Sequence, residues 1–265
     1  MVTPKGLLMV ANAAKSWTWI LAIPLIACVA CRSSHQTDTA ASSSVPPPAS
    51  SVTHDPMHPP IDCPLRKAGI DPHGLKPFED VEKYISFLER PDRAAWQKPD
   101  ALVSSLALTG NEVVADVGAG SGYFTFRFSK ALPHGRVVAT DVEPEMVRHI
   151  RHKAMTEGVA NIEVVLGAAD DPKIPAGAAL IFVCDVLHHV KDQAGWLSKM
   201  FAEAQSSARV VVVEFKEGEL PAGPPAAVKL PHDQVINLVT RAGFTKVGDD
   251  AALLPYQYVL TFRKP

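Results

Sequence analysis

Residues 112–130, EVVADVGAGSGYFTFRFSK, decide the fold of this 265-residue chain. A short apolar run ends in an acid, Asp116; glycines recur at Gly118, Gly120 and Gly122, and a helical pattern then begins. The stretch reads as a buried strand, a tight turn and a helix. Glycines at such a turn let the backbone come within contact distance of a ligand, and the helix start leaves amide N–H groups pointing at it. A dinucleotide site wants G-x-G-x-x-G, with the third glycine allowing close helix–strand packing. Here that place is Tyr123, and the third glycine comes one residue early.

The chain then alternates. Residues 136–141, RVVATD, form a second apolar strand ending in Asp141, 25 residues after Asp116. An acid at the carboxyl end of a neighbouring strand suits the two hydroxyls of a ribose, with Glu143 as a local competitor. Residues 161–166 (NIEVVL) read as a third strand, followed by the turn Gly167-Ala168-Ala169-Asp170-Asp171-Pro172. Residues 178–186 (AALIFVCDV) are apolar throughout, as a strand covered on both faces should be, and lead into Leu187-His188-His189-Val190. A fifth strand, 209–215 (RVVVVEF), precedes a proline-rich loop at 219–225 that suits a lid or a wall for a second reactant. Helices are expected over 78–90, 100–108, 123–132, 192–208 and 231–242, and a helix runs on to about 156 after the second strand. Residues 244–247 and 256–262 close the sheet, the latter alternating Tyr256, Tyr258, Leu260 and Phe262 against the intervening positions. Trp96 and Tyr84 suit either ordinary packing or contact with a second reactant.

The D-x-G-x-G-x-G pattern of residues 116–122 resembles motif I of the class I S-adenosylmethionine (SAM) dependent methyltransferases, and residues 141–146 resemble the D-x-x-P-x-M turn of the same enzymes. The likeness extends over 78–265 through the ADDPKIP, DVLHHV and PYQYVLTF segments. It implies an α/β fold: a Rossmann-like, seven-stranded, mostly parallel sheet with helices on both faces and the last strand antiparallel. It also implies SAM as cofactor. Asp116 would lie near its amino group, and Gly118, Ala119, Gly120 and Gly122 would make room for its methionine part. Asp141 and Val142 would take the ribose, Ala169 with Asp170 (or Asp171) the adenine, and Asp185, at the end of strand four, would be a further contact to the cofactor. His188 is the candidate base, with a hydrogen-bonded structural role as the alternative. Ala168 stands where the family often has an acid, and the P-G-G turn before strand five is replaced by residues 205–208, QSSA. The implied reaction is in-line displacement of the sulfonium methyl onto a small-molecule acceptor; an NAD-dependent oxidoreductase is disfavoured by Tyr123.

The rest of the chain bounds the setting. With a formal charge of −2, nothing favours nucleic acid, whose backbone rewards a basic face. Lys5 and Lys15 precede an uncharged run at 17–30, too short for a bilayer-spanning helix but suited to a secretory leader. Residues 25–28, LIAC, resemble a lipobox, so a lipid anchor is expected at Cys28, with Cys31 as rival; a hydrophobic anchor or a mis-assigned start is the bland alternative. The expected organisation is a leader at 1–31, a Ser/Pro-rich linker at 32–77 and the methyltransferase domain at 78–265. Within it, residues 33–60 would reach on the order of 30 Å as a flexible coil. Such a protein would sit in the cell envelope, or in the cytoplasm if the start is mis-assigned. His54, Met57, His58, Cys63 and His73 lack the tight spacing of a metal site, and none is expected. Because a leader would export the domain away from cytoplasmic SAM, a non-catalytic envelope protein binding a nucleoside on the same fold is the second reading.

Overall fold

A computed structural model describes residues 81–265. The leader, both anchor cysteines, the linker and the His/Met/Cys cluster of the sequence lie outside the described residues. The element order is α1 Val81–Leu88, α2 Arg93–Gln97, α3 Pro99–Ser105, β1 Val113–Val117, α4 Thr125–Ala131, β2 Arg136–Asp141, α5 Pro144–Thr156, β3 Ile162–Leu166 and β4 Ala178–Cys184. A 3₁₀ turn at Leu187–His189 follows, then α6 Gln193–Glu203, β5 Arg209–Phe215, a second 3₁₀ turn at Ala226–Val228, α7 His232–Arg241, β6 Thr245–Asp250 and β7 Gln257–Arg263.

The strands form one sheet in the order β3-β2-β1-β4-β5-β7-β6. β1 to β5 pair in parallel, and β7 runs antiparallel between β5 and β6. Side chains alternate across a strand, so each strand feeds both faces. Val114, Val137, Leu180, Phe182 and Val211 pack under α3 and α4, continuous with Ala139 and Val164 under α5. Ala115, Val117, Ile181, Val183 and Val212 pack under α6 and α7. Being covered twice, β5 is buried along nearly its whole length, which is why its sequence reads as a run of valines rather than an alternation. β6 shows the opposite: an edge strand, polar and largely exposed, broken by a bulge between Lys246 and Gly248.

Chain order reverses between β1 and β4, and the carboxyl ends of these two strands part there. Ligands in open α/β sheets bind at such a switch point. The structure departs from the sequence expectations in three places. α2 is a separate short helix, joined to α3 by Lys98 in the left-handed region (φ 42°) with Pro99 opening the next turn. β4 stops at Cys184 because Asp185 takes φ 59° and turns the chain out of the sheet. On β7 the alternation does not separate a buried face from an exposed one: Gln257 and Val259 are buried along with Tyr258, Leu260 and Phe262. Among the described residues no helix is long and apolar enough to cross a membrane.

Under α3 and α4, Phe182 of β4 meets Phe124 and Phe128, each with ring centroids 5.0 Å away. Phe182→Ala is expected to lower the unfolding free energy by about 3–5 kcal/mol, the cost of an aromatic-sized cavity, as measured by urea denaturation.

Candidate functional site

A cavity of 860 Å³ opens over the carboxyl ends of β1, β2, β4 and β5. Its inner wall is the turn from Gly118 to Ser121. That turn is stapled to the end of β2, the amides of Gly118 and Ala119 both donating to the Thr140 carbonyl at 2.8 and 3.0 Å. Gly118 holds φ 70°, and a Cβ there would fall inside the Val186 side chain. At Gly120, with φ 57°, a Cβ would come 3.2 Å from Leu88 Cδ1. The glycines therefore let backbone line the cavity where any side chain would fill it.

Asp141 lines the cavity and fixes it. Its Oδ2 accepts from the Gly120 amide at 2.7 Å, and its Oδ1 from the Glu143 amide at 2.9 Å. Burial pushes the carboxyl up to about 6 even though these amides hold it down. Val142, Glu143, Ala169 and Asp171 line the same end. Ser121 Oγ and Glu143 Oε2 there are buried without a hydrogen-bond partner among the described residues. Buried polar atoms are nearly always paired, so these two suit a ligand that brings hydroxyl or amine groups.

Three expected contacts are placed differently. Asp116 lies one residue short of the end of β1 and on the α4 face, outside the cavity lining, where it accepts from Thr125 Oγ1 at 2.6 Å. Burial pushes it up to about 7, with the Asp141 charge adding and Arg93 opposing. Gly122 is also behind the turn: its Cβ would meet Phe126 at 2.9 Å and Ile150 at 3.2 Å, so it spaces helices rather than touching the cavity. Asp170 points to solvent and pairs with Lys199 at 2.8 Å; the bridge between Ala168 and Asp171 turns its neighbour Asp171 to the cavity instead.

At the β4 end, Asp185 is held by a polar set that sequence reading missed. Gln97 Nε2 donates to Asp185 Oδ2 at 3.1 Å and to Gln257 Oε1 at 3.1 Å, while Gln257 Nε2 donates to Asp185 Oδ1 at 2.6 Å. Arg93 Nε donates to Gln97 Oε1, and its guanidinium stacks 4.0 Å from the Tyr123 ring. Burial, then the Glu214 charge, push Asp185 up to about 6, against Arg93 and His188. His188, expected as base or structural group, lines the cavity with its Nδ1 2.7 Å from Glu214 Oε2, both side chains almost fully buried. Its backbone amide also donates to Glu214 Oε1 at 3.2 Å. Burial alone would depress the imidazole, but the charge and hydrogen bond of Glu214 outweigh it and raise its pKa. Glu214 carried one signal in sequence, an acid ending a run of valines; Gln97 and Gln257 carried none.

Known proteins share this fold. The methyltransferase domain family matches residues 114–209. Uncharacterised methyltransferases of Mycobacterium tuberculosis and Mycobacterium bovis are 25% identical over 116 residues, covering 44% of this chain and 57% of theirs. The match thus spans little more than half the length of these relatives. Among solved structures, a SAM-dependent methyltransferase from Aquifex aeolicus superposes with a TM-score of 0.65 at 24% identity, over 70% of this chain and 99% of that one. PigF, solved with S-adenosylhomocysteine (SAH), superposes with a TM-score of 0.57 at 18% identity, over 70% and 59% of the two chains.

The buried acids make a pH prediction. Asp116 takes up its proton far more readily folded than unfolded, so its contribution to stability is full below about pH 4 and is lost as pH rises through about 7. Asp116→Asn is expected to shrink the fall in urea midpoint between about pH 4.5 and pH 7.5. An unchanged fall would mean that Asp116 is already ionised in the folded chain.

Proposed function

Taking as premise that the chain belongs to the class I SAM-dependent methyltransferases, we propose that it transfers the methyl group of SAM to a small-molecule acceptor seated in the same cavity. The observation that carries the reading is Asp141, a buried carboxylate locked by two amides beside an open glycine turn. Asp141 and Glu143 would hold the ribose hydroxyls, and Gly118 to Ser121 the methionine part. Ala169 and Asp171, rather than Asp170, would face the adenine. SAM supplies a methyl group already activated by its sulfonium, so that a nucleophile takes the methyl and SAH departs. The chain's main contribution is then to hold two reactants in line, an effect worth several kcal/mol.

His188 is placed to take the proton that the acceptor sheds. With Nδ1–H given to Glu214, Nε2 keeps its lone pair, and the buried carboxylate stabilises the imidazolium that results. Asp185, its oxygens taken by Gln97 and Gln257, serves as a fixed wall rather than as a base. The alternative of a scaffold that binds a nucleoside without turnover finds no support among the matched relatives. A tether through Cys28 or Cys31 adds the proposal that the domain works at a membrane surface; its support is the uncharged run at 17–30.

Two measurements test the reading. SAH is expected to raise the melting temperature of the full chain while NAD does not, and Asp141→Ala is expected to weaken SAH binding by about 100-fold in calorimetry, the loss of hydrogen bonds to a charged acceptor. No heat with SAH or SAM would sink the proposal. For the base, Glu214→Gln is expected to move the His188 ring titration, followed by NMR, to lower pH, because the charge and hydrogen bond that raise it are weakened.

A further inference from the structure

Beyond the glycine turn the cavity changes character. Tyr84, Phe87, Trp96, Phe215, Pro224 and Pro225 line it, a set of flat or rigid apolar groups. Trp96 and Phe215 lie 5.7 Å apart between ring centroids. Phe215 follows Glu214 directly on β5, so the aromatic wall begins beside the His188–Glu214 pair. At 860 Å³ the cavity is near the upper end of the roughly 300–1,000 Å³ of small-molecule sites, in keeping with two reactants and not with a macromolecular segment.

Charge around the cavity is segregated. The acids Asp141, Glu143 and Asp171 come from the ends of β2 and β3 and the turns that follow them, whereas the cations Lys83, Arg90 and Arg93 come from α1, α2 and their junction, and Lys191 from the approach to α6. The remaining acid, Asp185, has both oxygens engaged by glutamines. Arg90 sits 4.5 Å from the Phe87 ring centroid and 5.6 Å from that of Trp96. Its ion pair is with Asp92, whose side chain is 66% exposed, and such a surface pair is weak enough to yield to a better-placed anion.

Trp96 adds the specific feature. It is 8% exposed, lines the cavity, and its indole N–H has no hydrogen-bond acceptor among the described residues. A buried donor left unmade is costly, and because the N–H itself is closed off, a ligand oxygen removes that cost only as the indole tilts toward the cavity. We propose that the methyl acceptor is a planar aromatic hydroxy acid, its ring against Trp96 and Phe215 and its carboxylate taken by the indole N–H and Arg90. The hydroxyl oxygen forms the new C–O bond as the sulfonium C–S bond breaks, and the hydroxyl proton passes to His188 Nε2. This rests on the methyltransferase reading for the reaction, but the binding of an aromatic acid stands on the wall itself.

The test uses calorimetry on the full chain, with and without SAH, against hydroxynaphthoate, naphthol and cyclohexanecarboxylate. Hydroxynaphthoate is expected to bind at least about tenfold more tightly than either comparator, the worth of one hydrogen bond to a charged group or of the aromatic face. Trp96→Phe, which keeps an aromatic ring and removes the N–H, is expected to cost hydroxynaphthoate about tenfold more than it costs naphthol, with SAH affinity unchanged. Arg90→Gln, at the junction of α1 and α2, gives the same selective loss and serves if the Trp96 variant fails to fold. Naphthol binding as well as hydroxynaphthoate, or no effect of either substitution, overturns the proposal. SAH binding without any hydroxynaphthoate binding removes this inference and leaves the methyltransferase reading standing; hydroxynaphthoate binding without SAH binding does the reverse.

Discussion

The site depends on one carboxylate satisfying two backbone donors. Asp141 ends β2, and its two oxygens draw together the amide of the glycine turn after β1 and the amide that opens the approach to α5. The parallel pairing of β1 with β2 sets the height of both tips, the Thr140 carbonyl catches the turn, and the carboxylate closes the triangle. An acid buried in this way pays in desolvation, which shows as its raised pKa, and the amide donors are what keep the charged form accessible.

A second polar assembly supports the opposite wall by the same logic. Gln97 from α2 and Gln257 from β7 converge on Asp185, which is free to receive them because its left-handed backbone lifts it from the sheet. A non-glycine residue at positive φ is strained by about 1–3 kcal/mol, and such strain persists where the surroundings over-determine it. The network does so from positions 88 and 72 residues away in the chain. The His188–Glu214 pair next to it is likewise long-range, so the reactive end of the cavity is assembled from β4, β5, β7 and the α2 helix together.

That distance explains what the sequence could and could not disclose. β2 and β5 were legible to the residue, since an apolar run bounded by turn signals reports a strand covered on both faces. The glycine turn was legible because only glycine tolerates its backbone and its closeness to Val186 and Leu88. The direction of individual acids was not. Asp170 and Asp171 are adjacent and equivalent as letters, and only the local bridge turns one outward. Asp116 carries the family position, yet strand parity aims it at Thr125 and α4. Alternation on β7 cannot reveal that Gln257 will meet a glutamine and an aspartate from elsewhere in the chain. The polar network was invisible in one dimension for the same reason.

The helix α1 carries a consequence of its own. It overlies the glycine turn through Leu88, yet its apolar anchorage is a satellite cluster of Val81 and Met146 with Tyr84, Ile85 and Leu88, set apart from the two large cores. Among its other ties are the Arg93 guanidinium donating to the Leu88 carbonyl at 2.6 Å and Lys153 donating to Glu89 at 3.0 Å. Elements with small independent anchorage open at lower free energy than the core beneath them. The roof of the cavity is therefore anchored separately from its floor of strand tips, so a ligand's way in and out is expected to follow opening of α1 rather than movement of the sheet.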